Sequence, residues 1–272
     1  MKKTVVVLLL SVVAIVLSVF CFAADTEDVY TADALNELGL LLGTGKGYEL
    51  EKGLTRADGV TLLVRMVGME ETAQNGVFQN SFTDVPVWAV GYVGCAFEHS
   101  ITNGTGKTTF SPNMAMTDYM FLTMVLRALD YSDKGEAPLF VWNNPYALAV
   151  KLGLIESVEP DTNFTRADAI RIFWNALDVR LNASRTTLAQ RMIEQGVFTA
   201  AELAEAREIQ ANGRSENAGV PTTPPPRTTV PTTPPPRTTV PTTPPPKTTV
   251  TTTPPTETTV PGIGNENETP DW

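Results

Sequence analysis

The tetrapeptide Thr-Arg-Ala-Asp occurs twice, at residues 55–58 and 165–168, and a degraded copy, "MAMTDYM", places Thr117 between them. Behind each threonine runs the same apolar pattern: "GVTLLVRMVG" (59–68), "FLTMVLRALD" (121–130) and "AIRIFWNALD" (169–178). Aligned on the threonines, Leu62, Leu63, Met66 and Val67 match Met124, Val125, Ala128 and Leu129, and then Ile172, Phe173, Ala176 and Leu177. The i, i+3, i+4 spacing is that of a helix buried along one face. A second apolar helix is predicted ahead of each: "TADALNELGLL" with Thr31 as cap, "DVPVWAVGYVGCAFEHSI" with Asp84 as N-cap and Pro86 in the first turn, and "NPYALAVKLGLI" with Asn144 as N-cap and Pro145 at N1. Three helical hairpins result, at 31–68, 82–130 and 144–178, none able to bury its apolar face alone. They must pack on one another, so the fold expected is all-α. Two capping-box patterns, at Thr187–Gln190 and Thr199–Glu202, predict a closing helical hairpin within 179–216.

The repeated tetrapeptide separates into two duties. Thr55 with Asp58, and Thr165 with Asp168, have the S/T-x-x-D/E form in which the hydroxyl accepts from the N3 amide and the N3 carboxylate reaches back to the cap amide. Thr117 occupies the same cap position in the middle copy. Arg56 and Arg166 have no such explanation, because a cation in the first helical turn opposes the macrodipole. Local physics leaves two roles open for them: holding an anionic ligand, or a salt bridge between units.

Charge narrows the partners. Residues 24–216 carry 15 Lys and Arg against 26 Asp and Glu, so bulk electrostatic capture of nucleic acid or an anionic membrane is not expected. Any anion must be held by local arginines. Lys2 and Lys3, an uncharged run from Val5 to about Phe20, and Cys21-Phe22-Ala23 read as a signal peptide over 1–23. The run is also long enough for an uncleaved membrane anchor. Bulky Phe20 argues against a lipid anchor on Cys21. Past the signal only Cys95 and His99 remain of their kinds, which excludes a disulfide framework, a Cys/His metal site and a His-based triad. From residue 217 to 272 the composition changes to "VPTTPPPRTT" repeats at 220–229 and 230–239, a lysine copy at 240–249 and a degraded one at 250–259. Proline at this density favours polyproline II, a semi-rigid stalk of roughly 120 Å over forty residues. Threonine beside proline makes it a candidate for O-glycosylation.

Other motifs are weaker. "GTGKG" (43–47) and "GTGKT" (104–108) lack the upstream glycine of a phosphate-binding loop, where Leu40 and Ile101 stand instead, so no nucleotide is expected. Carboxylates fall mainly at caps and on polar faces, which argues against a glycosidase pair and for a protein that is not an enzyme. Of the tryptophans, Trp174 lies in an apolar run and reads as core, Trp142 fits either core or sugar stacking, and Trp88 in a first turn is the better candidate sugar contact.

Residues 82–119 resemble the S-layer homology repeat, F-x-D-V-x-x-W-A followed by G-I-x-x-G, G-x-F-x-P and I-T-R-A-E. Phe82, Asp84, Val85, Trp88, Ala89, Ile101, Gly104, Phe110, Pro112 and Thr117 carry the match, and the outer units supply the Thr-Arg-Ala-acid element. The resemblance implies three repeats in a pseudo-threefold spindle whose grooves bind secondary cell-wall polymer, often pyruvylated, and so tether a secreted protein to the bacterial wall without cofactor. It would make Arg56 and Arg166 donors to a ketal carboxylate, a planar recognition that lysine cannot reproduce. Helix N-terminal amides and the loops at Gly43 and Gly104 would add donors. The middle copy departs, with Asp118 at the arginine position, so at most two of three grooves are expected to take an anion. The rival expectations are a protein-binding envelope spacer and, more remotely, a sugar-processing enzyme.

Overall fold

A computed structural model describes residues 26–43, 46–158 and 163–214. The predicted signal peptide and the Thr/Pro tract lie outside the described residues, as do Thr44, Gly45 and 159–162. Nine α-helices form among the described residues: α1 (helical through 26–37), α2 (Arg56–Met66), α3 (Glu70–Asn75), α4 (Val90–Glu98), α5 (Asp118–Ala128), α6 (Tyr146–Lys151), α7 (Arg166–Ala176), α8 (Leu188–Glu194) and α9 (Ala200–Asn212). A single 3-10 turn, Val87–Ala89, leads into α4. No strand forms among these residues, only isolated bridges, and no described helix is long and apolar enough to cross a membrane.

The three helices that follow the threonines pack on one another pairwise, α2 on α5, α5 on α7 and α2 on α7. Their apolar faces meet in one core, in which Leu63, Phe121, Leu126 and Phe173 are at most 1% exposed. Such burial is the main stabilising term for helices this short, since an isolated helix of eleven residues is marginal in water. Helices α8 and α9 add Leu188, Met192, Ala206 and Ile209 to the same core. Both begin with complete capping boxes, Thr187 with Gln190 and Thr199 with Glu202.

Caps divide the helices into those started by side chains and those started by packing. Thr55 and Thr165 each accept from the N3 amide, and Asp58 and Asp168 return the bond. Thr117 has the extended N-cap backbone (φ -108°, ψ 162°) but makes no side-chain cap bond, and its buried hydroxyl has no partner among the described residues. N3 of α5 is Met120, so the reciprocal carboxylate of the other two copies is missing as well.

Three predicted starts differ from the sequence reading. Thr31 sits inside α1, buried, because the helix already runs through residues 26–30. Pro145, not Asn144, holds the N-cap of α6, and no side chain caps it. Asp84 does not cap a helix either, since Pro86 precedes the 3-10 turn. Its carboxylate instead accepts from the amides of Phe110 and Ser111, both at 2.8 Å, and pins the far end of the Gly104 loop. Burial opposes ionisation there, but these two amide bonds outweigh it and hold the Asp84 carboxyl below the usual carboxylate range. Asp84→Ala is expected to cost about 1 kcal/mol, a modest figure because the site is exposed. Chemical denaturation at neutral pH checks it. The wild-type advantage should be present above the unfolded carboxyl pKa and vanish as pH falls through the lower folded one.

Candidate functional site: a groove between the first and second units

The first turn of α2 lies against the loop of the second unit as an antiparallel bridge, Thr55 to Ala115. The Arg56 amide donates to the Met114 carbonyl (2.8 Å), that of Ala57 to Pro112 (3.1 Å), and Met116 donates back to Leu54 (2.8 Å). An equivalent joint ties the third unit to the first. Gly53 bridges Thr165, Arg166 N–H donates to Lys52 (2.9 Å) and Ala167 N–H to Leu50 (3.0 Å). The orphan amides of both helix starts are therefore consumed by a neighbouring unit's carbonyls. This corrects the expectation that they would serve a ligand.

What projects from the joint is the arginine. Arg56 is 7% exposed; Nε donates to the Phe110 carbonyl (3.0 Å) and Nη2 to that of Asn103 (2.9 Å). The guanidinium lies over the Phe110 ring, 4.6 Å from its centroid. Burial, with the nearby Arg127 charge, lowers its pKa to about 10, against the opposing pull of Tyr119 and Asp84. It stays cationic at neutral pH. Among the described residues neither Arg56 nor Arg166 forms a salt bridge, so the inter-unit ion pair envisaged from local physics is replaced by bonds to backbone carbonyls. A carbonyl supplies a dipole but no compensating charge, and the cation remains unneutralised.

Arg56 lines a cavity of about 430 Å³ together with Asn103, Gly104, Tyr119, Arg127 and Trp142. The Tyr119 and Trp142 rings stand 6.1 Å apart at 59°. Asp133 clamps the Arg127 fork from Nε (2.9 Å) and Nη2 (2.5 Å). Gly104 is there for space: a Cβ would come within 2.7 Å of the Gly106 and Thr109 carbonyls and 2.4 Å of the Phe82 ring. The amides of Thr105 and Gly106 are turned back onto Thr109, so they are not free donors either.

The other sequence candidates sit elsewhere. Arg166, half-buried, directs Nη2 at the Leu42 carbonyl (3.5 Å), next to Gly43, while its buried Nε has no hydrogen-bond partner among the described residues. Burial lowers its pKa, reinforced by Arg65. Trp88 is 54% exposed in the 3-10 turn and does not line the Arg56 cavity; Trp142 and Tyr119 supply the aromatic surface instead. Trp174 is only partly buried, at the edge of the core. Tyr119 and Arg127 carried no motif signal. Their periodic place on α5 pointed to a helix, while the facing unit that makes them groove residues was not visible in the pattern.

Residues 81–117 match the family model of the S-layer homology domain. The chain carries an S-layer homology domain. The matched span holds Asp84, the Gly104 loop and Phe110, the segment against which Arg56 is set. The chain is 35% identical over 198 residues to the middle cell wall protein of Brevibacillus brevis, covering 66% of this chain and 18% of that protein. It is 30% identical over 220 residues to a surface layer protein of Brevibacillus choshinensis, covering 71% and 19%. A cell surface protein of Thermoanaerobacter kivui is 32% identical over 174 residues, covering 58% and 22%. The chain thus spans about a fifth of the length of these relatives.

Proposed function

We propose that this chain is a binding module of the bacterial cell surface, without chemistry of its own, that anchors noncovalently to the cell wall by holding an anionic wall polymer in its inter-unit grooves. One observation carries the reading: a buried guanidinium with no carboxylate partner among the described residues, set in a cavity walled by Tyr119 and Trp142. A saccharide needs an apolar face for its ring, and an acidic one needs a desolvated cation. The names of the three relatives given above, a cell wall protein, a surface layer protein and a cell surface protein, support the location.

The arrangement we infer is a ring of three S-layer homology units about a pseudo-threefold axis. Its support is that unit one docks on unit two and unit three on unit one through the same backbone bonds, while α2, α5 and α7 pack pairwise. The grooves of Arg56 and Arg166 would take the acid, a pyruvyl ketal or similar carboxylate. The groove headed by Asp118 would not.

The full chain should pellet with wall sacculi carrying the polymer and stay in solution with sacculi stripped of it. Arg56→Lys keeps the charge but loses the bidentate fork. With Arg166→Lys it should weaken pelleting by roughly tenfold or more, since hydrogen bonds to charged groups contribute about 1.5–3 kcal/mol, with the helical circular-dichroism signal unchanged. Equal pelleting with stripped sacculi would overturn the reading.

A further inference from the structure

Asn-Gly steps occur at residues 75–76, 103–104 and 212–213, and both residues of the middle step line the Arg56 cavity. Asparagine before glycine is chemically labile, because the following amide nitrogen can attack the side-chain carbonyl with no Cβ to hinder it. The structure separates the three. Asn75 and Asn212 are the last residues of α3 and α9, and the amides that would attack are already spent. Gly76 N–H donates to the Thr72 carbonyl (2.8 Å) and Gly213 N–H to that of Ile209 (2.7 Å). Gly104 N–H has no hydrogen-bond partner among the described residues, although those of Thr105 and Gly106 both bond to Thr109. Exposure alone would rank the sites the other way, since Asn75 and Asn212 are exposed and Asn103 is half-buried.

The Asn103 side-chain amide is also activated. Its neighbours orient it with Nδ2 donating to the Thr102 carbonyl (3.2 Å) and Oδ1 accepting from Arg127 Nη2 (3.3 Å). When the Gly104 nitrogen, having lost its proton to water or hydroxide, adds to Cγ, negative charge gathers on Oδ1, where the guanidinium stabilises it. The Cγ–Nδ2 bond then breaks, ammonia leaves with a proton, and a succinimide ring remains. Water opens the ring at one of its two carbonyls. Cleavage of the new N–Cγ bond gives aspartate, whose side-chain carboxylate replaces the amide that faces Arg127. Cleavage of the original peptide C–N bond gives isoaspartate. The main chain then runs through Cγ, and the former Asn103 carbonyl, which already accepts from Arg56 Nη2 at 2.9 Å, becomes a free carboxylate. Either product sets an anion on a guanidinium of the groove, a pairing that Arg satisfies with parallel bonds.

We propose that Asn103 deamidates in the folded chain and so fills the Arg56 groove with a carboxylate of its own, making the hold on an anionic ligand decline with age. The place of modification stands on the local geometry. Its consequence rests on the reading that this groove holds an anion.

Ageing the full chain in warm, mildly alkaline buffer tests it. Tandem mass spectrometry should find deamidation at Asn103 roughly tenfold or more ahead of Asn75 and Asn212, whose helix ends must open first, with isoaspartate among the products. In urea, where those hydrogen bonds are gone, the lead should disappear. Equal rates in the folded chain, or Asn103 as the slowest site, would overturn the proposal. Aged chain should pellet with polymer-bearing sacculi roughly tenfold more weakly than fresh chain, with its circular-dichroism signal unchanged, and Asn103→Asp should be weak from the start. Asn103→Gln, whose longer side chain closes a ring far more slowly, should lose nothing on ageing. Deamidated chain that pellets as tightly as fresh chain would also overturn the proposal, as would a loss with age that persists in Asn103→Gln. A fresh chain that never pellets would count against wall anchoring instead, and the order of deamidation rates, read by mass alone, still decides the modification.

Discussion

Asp133→Asn should lower stability by about 3 kcal/mol while tightening the hold of the Arg56 groove on an acidic saccharide. Arg127 and Asp133 have side chains only 9% and 5% exposed and meet through two parallel bonds. Removing one partner of such a pair leaves a desolvated charge, which costs about 3–5 kcal/mol; the amide retains one acceptor, so the lower end is expected. The released guanidinium lines the same cavity as Arg56, and the groove gains a full positive charge where an anion is to sit. Urea denaturation and polymer titration should therefore move in opposite directions, an outcome a purely structural role for the groove would not give. The pH dependence has a definite sign. Burial pushes the Asp133 carboxyl up, but the Arg127 hydrogen bonds and charge outweigh it and hold it below its ordinary range. Its contribution is present above the unfolded carboxyl pKa and is lost as pH falls through the folded value, so wild type and variant should converge in acid.

The helical class and the places where α2, α5 and α7 begin were legible because a helix start is a local event. Thr55 and Asp58 settle it within four residues, and the apolar spacing behind them points one face inward. Asp84 misled for the same reason. An aspartate before a proline-led helical pattern looks like a cap, whereas its partners, Phe110 and Ser111, lie more than twenty residues away. Arg56 could be flagged as unexplained by helix electrostatics, but not assigned, because its acceptors at Asn103 and Phe110 belong to another unit. The helix-start amides look available to a ligand for the equivalent reason. Local rules leave them orphaned, and only the packing of unit on unit supplies Met114 and Pro112. Trp142 lines the Arg56 cavity and Trp88 does not, because exposure near a motif is not the same as facing a groove.

Phe110→Ala should nearly abolish polymer binding, and comparison with Phe121→Ala separates that effect from loss of stability. Both rings are fully buried, and truncation of a buried phenylalanine costs about 3–5 kcal/mol. Phe121 packs against Phe164, with centroids 5.5 Å apart, in the core away from Arg56. Phe110 packs on Phe82 at 5.7 Å and lies beneath the Arg56 guanidinium; its carbonyl accepts the Nε bond and its amide is held by Asp84. Without the ring, the loop that faces Arg56 loses the support fixing its carbonyls, and the cation loses a cation–π contact of about 1–2 kcal/mol in a desolvated place. Where both variants remain folded by circular dichroism, Phe121→Ala should melt earlier yet titrate with polymer almost as wild type, and Phe110→Ala should melt earlier and bind at least tenfold more weakly. Phe110→Leu, which restores volume without the aromatic face, should recover most of the stability and little of the binding. Equal binding by the leucine and wild-type chains would mean that the ring serves the core alone, and that the groove's cation is held by Asn103 and the Phe110 carbonyl without it.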